Sequence, residues 1–266
     1  MDGNIYTIRG QFQTITVFRA KDYYLVKEIK DERFGRLLDI VACISLRILY
    51  TLEQACVWQI DENGNVSEYV SLIHLHVTTP TLSVRGTQLL VTSSNGIRKY
   101  TRGIWGPTPA DIRLPVGLSG AKLWHAQEVH DGYVTAYVER GTLHRVSKFR
   151  EGGIFLERGR QVEYFVYGTQ QGEGTDQLSN PVYLAVEPKH GHIFVADHDN
   201  QRVVLLDSKF HRFLIISELP EGCYPTRLCY VDERKELFVG TSNGYIMGYK
   251  FTRYVDICVK KHAEID

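Results

Sequence analysis

Short apolar runs separated by tight polar turns fill this chain, and one arrangement recurs: an apolar strand, a polar turn and a second apolar strand. It reads NIYTIRG…TITVF from Asn4, RILYTLEQACVWQI from Arg47 and QLLVTSSNGIRKY from Gln88. It returns as GYVTAYVERGTLHRV from Gly132, HIFVADHDNQRVVLL from His192 and ELFVGTSNGYIMGY from Glu236. With Ile5, Leu49, Leu89, Val134, Ile193 and Leu237 as equivalent anchors, the spacings are 44, 40, 45, 59 and 44 residues. Self-similarity at a period near 40 predicts blades or solenoid units, here six. The one long interval predicts an insertion within Phe149 to Asp176, where REGG, ERGR and GTQQGEGTDQ have loop composition. The 29 residues beyond Leu237 are too few for a seventh unit.

Further strands flank the anchors: PVYLAVEP and PTRLCYVD precede the fifth and sixth, and YYLVKEI and VSEYVSL follow the first and second. About four strands per unit, with no amphipathic helix, predict an all-β fold. It is a six-bladed β-propeller of four-stranded antiparallel blades, a single domain over 1–266. Asn63-Gly64, Asn95-Gly96 and Asn243-Gly244 suit type I′ hairpins. The first unit, with four residues before Ile5, is expected to lack its opening strand. The ring is expected to be closed by the C-terminal strand YVDICV, Tyr254 to Val259, which either pairs with the N-terminal blade or completes the last one.

The segment NPVYLAVEPKHGHIFVADHDNQRVVLLDSKF, Asn180 to Phe210, resembles the NHL repeat: a proline, a short apolar strand, a glycine turn, an apolar VAD strand, N-x-R-V and an apolar run. The match is specific in the fifth unit, degenerate in the sixth and third, and weak elsewhere. The resemblance implies a propeller of the NHL type, as in tripartite-motif NHL proteins and stand-alone relatives. Such propellers bind RNA or protein, and more distant relatives are lyases or esterases, so fold alone leaves function open.

Composition narrows the setting. Basic and acidic residues balance at 31 each, so no global field draws the chain to nucleic acid or membrane. The five cysteines are odd in number and form no CxxC pair, which argues against a disulfide framework or a zinc ribbon and for a reducing compartment. The N-terminus MDGNIYTIRG lacks the basic and apolar regions of a signal peptide, and no stretch has the length of a membrane span. A cytoplasmic, monomeric protein with no membrane attachment is expected.

Local chemistry offers few catalytic signatures. In VADHDNQRV, Asp197 and Arg202 can meet across a hairpin as an internal brace, with Asn200 at a turn position of unusual φ. His198 and Asp199 are left at the tip. Ser93 and Thr241 take the place of Asp197 in the third and sixth units. His74 and His76 share a strand face at metal-ligand spacing but lack a third ligand, and His190 and His192 bracket a glycine turn as solvated residues. GEGTDQ fails the dinucleotide pattern, and GLSGA around Ser119 is no nucleophile elbow. No metal, small-molecule cofactor or catalytic residue is therefore expected. The sequon at Asn65 is expected to be unused without a secretory signal.

Charge is uneven along the chain. Arg85 to Arg160 holds 12 basic and 6 acidic residues, interleaved with Tyr100, Trp105, Trp124 and Tyr137. Arg98, Lys99, Arg102 and Trp124 are candidates for phosphate attraction and base stacking, against the alternative that the aromatics are core and the charges a solvated rim. Aligning Pro181 with Pro225 makes Tyr183 and Arg227 equivalent, either as a contact pair or as filling of a central channel. The hairpin turns add Arg140, His198, Arg202 and Asn243. These residues describe a non-catalytic binding propeller whose partner is a protein segment or single-stranded RNA. The competing reading is a metal-assisted hydrolase or lyase with its site in the channel.

Overall fold

Strands bounded by glycine and Asx turns, with apolar residues on both faces of the middle strand, can only be satisfied by sheets stacked face to face. The computed structural model has that architecture. It describes residues 3–8, 13–73, 80–151, 155–157, 160–162, 164–216, 219–253 and 256–264. The fold is all-β, with six antiparallel blades of the β-propeller class. Contacts divide the chain into two units, Met1–Ile112 and Arg113–Asp266, taken in turn below.

The first unit holds three blades. Blade one is β1 (Asn4–Ile8), β2 (Thr14–Arg19) and β3 (Leu25–Lys30); blade two is β4 (Asp39–Cys43), β5 (Ile48–Leu52), β6 (Cys56–Ile60) and β7 (Val66–Ser71). Blade three is β8 (Thr81–Arg85), β9 (Gln88–Ser93), β10 (Gly96–Gly103) and β11 (Gly106–Asp111). Tyr50, Leu52 and Val57 of blade two pack on Leu82, Leu89, Val91 and Tyr100 of blade three, and Ile15 of blade one on Leu49, Trp58 and Ile60. Asp39, fully buried, crosses between blades two and three by accepting the Leu82 amide at 2.7 Å.

The second unit holds the other three blades. Blade four is β12 (Lys122–Val129), β13 (Gly132–Glu139), β14 (Leu143–Phe149) and β17 (Tyr164–Tyr167). Between β14 and β17 a small hairpin intervenes, β15 (Phe155–Glu157) with β16 (Arg160–Val162), and this is the expected insertion. Blade five is β18 (Pro181–Val186), β19 (Ile193–Asp197), β20 (Arg202–Leu206) and β21 (Arg212–Ile216). Blade six is β22 (Pro225–Val231), β23 (Glu236–Thr241), β24 (Tyr245–Arg253) and β25 (Asp256–Glu264). Val195 and Val204 of blade five face Val134 and Val146 of blade four, while Ala196, Val203 and Leu205 face Leu228, Val239 and Met247 of blade six.

Three expectations change. Ile5 lies on β1, which approaches the innermost strand β4, so Ile5 is not equivalent to the other anchors, all of which sit on second strands. The true second strand of blade one is β2, whose Thr14 to Phe18 are all buried. Blade one thus keeps its opening strand and, among the described residues, has three strands rather than four. The C-terminal strand resolves in favour of its second alternative: β25 pairs with β24 and completes blade six. Type I′ geometry is absent from all three Asn-Gly turns. Gly64 (φ 88°) and Gly244 (φ 89°) have positive φ, but Asn63, Asn95, Gly96 and Asn243 do not. Side chains shape these turns instead, as where Asp61 accepts the amides of Asn63 and Asn65 at 2.9 Å each.

Candidate functional site

The innermost strands of the second unit each begin with the same irregularity. Register slips between Leu123 and His125 on β12, Pro181 and Tyr183 on β18, and Pro225 and Arg227 on β22. Each slip leaves one extra residue, Trp124, Val182 or Thr226, and a bulge of this kind bends the strand and re-aims the next side chain. In consequence His125, Tyr183 and Arg227 converge. The His125 and Tyr183 rings stack at 3.7 Å with 19° between planes, and the Arg227 guanidinium lies 4.9 Å from the Tyr183 ring centre. Arg227 also donates to the Thr226 carbonyl at 2.8 Å.

Burial differs along the stack, with Tyr183 buried and Arg227 half-buried. Tyr183 is 5% exposed and His125 is fully buried, so both rings are packed within the fold and Arg227 is the outer member of the stack. Burial, reinforced by the Arg227 charge, holds the His125 imidazole well below its ordinary pKa of 6.5, and the ring is neutral at physiological pH. Unfolding frees it to take up a proton, so its contribution to stability is present above pH 6.5 and is lost as pH falls below that value. The maximum slope is about 1.4 kcal/mol per pH unit. Burial depresses His144 and His192 as well, and both remain in a His125→Phe variant. From urea unfolding at pH 7 and pH 5, wild type is expected to lose about 2 kcal/mol more than His125→Phe. Equal losses would mean that His125 is charged within the fold.

The turns of the second unit treat their polar residues differently. Arg140, in the left-handed region at φ 52°, has a side chain 82% exposed and 3.6 Å from the Glu139 carboxylate. Its guanidinium is the most available of the predicted contacts in this unit. His198 pairs with Asp199 at 2.7 Å and stacks on Tyr224 at 5.1 Å, with its side chain 26% exposed. Arg202 is engaged on every side: Nε donates to Asp197 at 2.7 Å, Nη1 to the Glu173 carbonyl at 3.0 Å and Nη2 to the Gln177 carbonyl at 2.9 Å. The brace reading of Asp197 and Arg202 therefore holds. Asn200 serves the same network, donating to Asp197 at 2.8 Å, while the residue of unusual φ is Gln201 at 49°. Asn243 donates to the Cys223 Sγ at 3.1 Å and pairs with the Thr241 hydroxyl at 2.7 Å. Trp124 is half-buried under the Lys122 ammonium at 4.3 Å.

In the first unit, the basic candidates lie on the hairpin of β10 and β11. Arg98 grips Asp111 with both nitrogens, Nη2 to Oδ2 at 2.8 Å, and this pairing holds the Asp111 carboxyl below its usual range. Lys99 is half-buried between its cross-strand neighbours Leu90 and Ala110. Arg102 is exposed and lines a shallow pocket with Gln59, Asp61, Asn65 and Ser67. Tyr100 (2% exposed) and Tyr137 (fully buried) are core, so neither offers a face for base stacking. Two large apolar residues instead stand in solvent at the tip of this hairpin, Ile104 at 94% and Trp105 at 99% exposure. Gly103 and Gly106 bracket them, and Gly106 at φ 119° permits the tight reversal.

His74 and His76 lie outside the described residues. His192, expected in solvent, is instead folded against the buried Glu187 carboxylate with its side chain 15% exposed, because Gly191 at φ 72° turns the chain back on itself. Among the described residues, no helix is long and apolar enough to cross a membrane.

No protein family and no curated protein matches the chain in sequence. Solved structures match it in fold. One in a nidogen/laminin complex is 10% identical with a TM-score of 0.70, covering 98% of this chain and 93% of that one. A streptogramin B lyase structure is 14% identical with a TM-score of 0.61, covering 100% and 80%. The virginiamycin B lyase of Staphylococcus aureus is 11% identical with a TM-score of 0.62, covering 100% and 82%. At these identities the likeness is one of fold, and it spans propellers of different function.

Proposed function

We propose that the protein is a non-catalytic recognition propeller of the NHL type whose partner is a protein, and the Ile104–Trp105 tip is the observation that carries this reading. Trp buries ~150–250 Å² when it enters a pocket, and an exposed Trp beside an aliphatic neighbour and Arg102 has the composition of an interface hot spot. The match to a structure from a nidogen/laminin complex is compatible with such a role. Single-stranded RNA fits less well. Two of the aromatics that would stack bases are core, and Arg98, Arg145 and Lys148 are engaged by Asp111, Glu139 and Asp131. The lyase reading has weaker support, since the described side chains that stack on the inner strands of blades four to six are a neutral imidazole, a phenol and a guanidinium.

The test begins with crosslinking and identification of proteins bound by the purified chain, followed by reconstitution of the leading complex from purified components. Trp105→Ala is expected to weaken that complex by roughly 30-fold or more, a loss of about 2 kcal/mol, and Arg140→Glu to change it less. In parallel, retention of a pool of short RNAs is measured at two salt concentrations. Strong retention that collapses with salt and disappears in Arg98→Glu would replace protein by RNA as the partner.

A further inference from the structure

The turn joining β18 to β19 reads EPKHGH, Glu187 to His192, and it brings one carboxylate and two imidazoles to one point. The Glu187 carboxylate is 1% exposed. Its Oε2 lies 3.2 Å from His190 Nδ1 and 3.6 Å from His192 Nδ1, and each of the three residues offers one donor atom within 4.8 Å of the other two. Two ligands of a tetrahedral zinc ion, each about 2.0 Å from the metal, stand about 3.3 Å apart, so both carboxylate-to-imidazole distances are those of a coordination edge. Imidazole and carboxylate together select borderline divalent ions of the zinc class over calcium or magnesium, which prefer all-oxygen shells.

Backbone geometry holds the donors in place. Gly191, at φ 72°, reverses the chain so that His190 and His192 face the same carboxylate, and its amide bonds the Glu187 carbonyl at 3.0 Å. A side chain at position 191 would be strained in that conformation and would meet Ser208 Cβ at 3.4 Å. The carboxylate is itself oriented by the amides of Lys189, to Oε1 at 3.0 Å, and His190, to Oε2 at 2.7 Å. Hydrogen bonds of this kind fix metal-ligating carboxylates and leave lone pairs for an ion. His190, with its side chain 39% exposed, opens the group to solvent, giving an ion a way in and room for a water ligand.

We infer that Glu187, His190 and His192 form a binding site for one divalent transition-metal ion of the zinc class, built from residues that the inner-strand stack does not use. The site pins the hairpin of β18 and β19 and keeps a coordination position open at the surface. Three protein ligands plus solvent correspond to an exchangeable site rather than a closed structural one.

The experiment uses the untagged full chain, stripped with a chelator. Cobalt(II) is titrated while the visible d–d absorption is followed, and zinc(II) affinity is measured by competition with a chromophoric chelator. Wild type is expected to bind one equivalent and to give the intense visible band of a tetrahedral or five-coordinate cobalt site. His190→Ala, His192→Ala and Glu187→Gln are each expected to weaken zinc binding by at least tenfold. His74→Ala/His76→Ala is expected to bind like wild type. Thermal melts in chelator show whether each variant folds, and the rise in melting temperature on adding zinc should be as large as in wild type only in the His74/His76 variant. Absence of binding to folded wild type, or one-equivalent binding that survives in folded His190→Ala/His192→Ala, would overturn the assignment.

Discussion

Replacing Asp197 with alanine is expected to lower the stability of the fold by about 3–5 kcal/mol, the cost of breaking a buried ion pair from one side. The carboxylate is fully buried and accepts from the Ser179 amide at 2.6 Å, Asn200 at 2.8 Å and Arg202 at 2.7 Å. Burial pushes its pKa up, opposed by those three donors and by the Arg202 charge. Removing the carboxylate leaves a guanidinium whose side chain is only 11% exposed without its counter-charge, takes away the side-chain acceptor of the Ser179 amide, and leaves the Asn200 amide only the Gly172 carbonyl at 2.8 Å. The loss also reaches beyond the hairpin, because Arg202 ties Glu173 and Gln177 of the preceding loop to blade five. Urea unfolding provides the number. Arg202→Ala alone should cost less, since it also strands a buried charge but one still held by an amide and Asn200. Asp197→Ala/Arg202→Ala should cost clearly less than the sum of its single variants, because each removes the same interaction. Strict additivity would show that the two side chains are not coupled.

That brace was legible from sequence because both partners sit five residues apart in one hairpin, so strand pairing alone predicts their contact. Elements further apart were read less well, for reasons that lie in the strands themselves. TITVF and NIYTI are both short apolar runs, and nothing local says which is the buried one; in the fold Thr14 to Phe18 of β2 are all buried, whereas every residue of β1 is only half-buried. The proline that opens β18 and β22 made Tyr183 and Arg227 visibly equivalent. Blade four enters its inner strand through Ala121 and Lys122, without that marker, so the third member of the stack, His125, was missed. The exposed tip was hidden for a related reason. An apolar pair inside a β-rich segment reads as strand, and only the pairing of Gly103 with Gly106 shows that Ile104 and Trp105 form the turn itself. Tyr100 and Tyr137 made the opposite error easy, since basic neighbours in sequence said nothing of rings that point into the core.

Gly132→Ala should rival the loss of Asp197, for a reason that owes nothing to charge. Gly132 opens β13 at φ 147°, a conformation that costs an L-residue of order 1–3 kcal/mol by itself. A Cβ there would lie inside van der Waals contact with the Phe149 carbonyl oxygen and 3.0 Å from its carbonyl carbon, and both are backbone atoms. Phe149 has little freedom to retreat: it is fully buried, pairs with Tyr133 across β13 and β14, and packs ring to ring with it at 5.6 Å. Overpacking of this kind typically adds 1–3 kcal/mol, so a total of roughly 2–6 kcal/mol is expected. Gly141 supplies the internal comparison, since its φ of 74° is also positive but a Cβ would meet nothing within 4 Å. Gly141→Ala is expected to cost about 1 kcal/mol, the conformational part alone. The difference between the two variants, measured by urea unfolding under one set of conditions, reports the clash with Phe149 together with the extra backbone strain of φ 147° over φ 74°. Equal losses would mean that the start of β13 yields to the methyl group, and that blade four is held less tightly at its β12–β13 end than its packing implies.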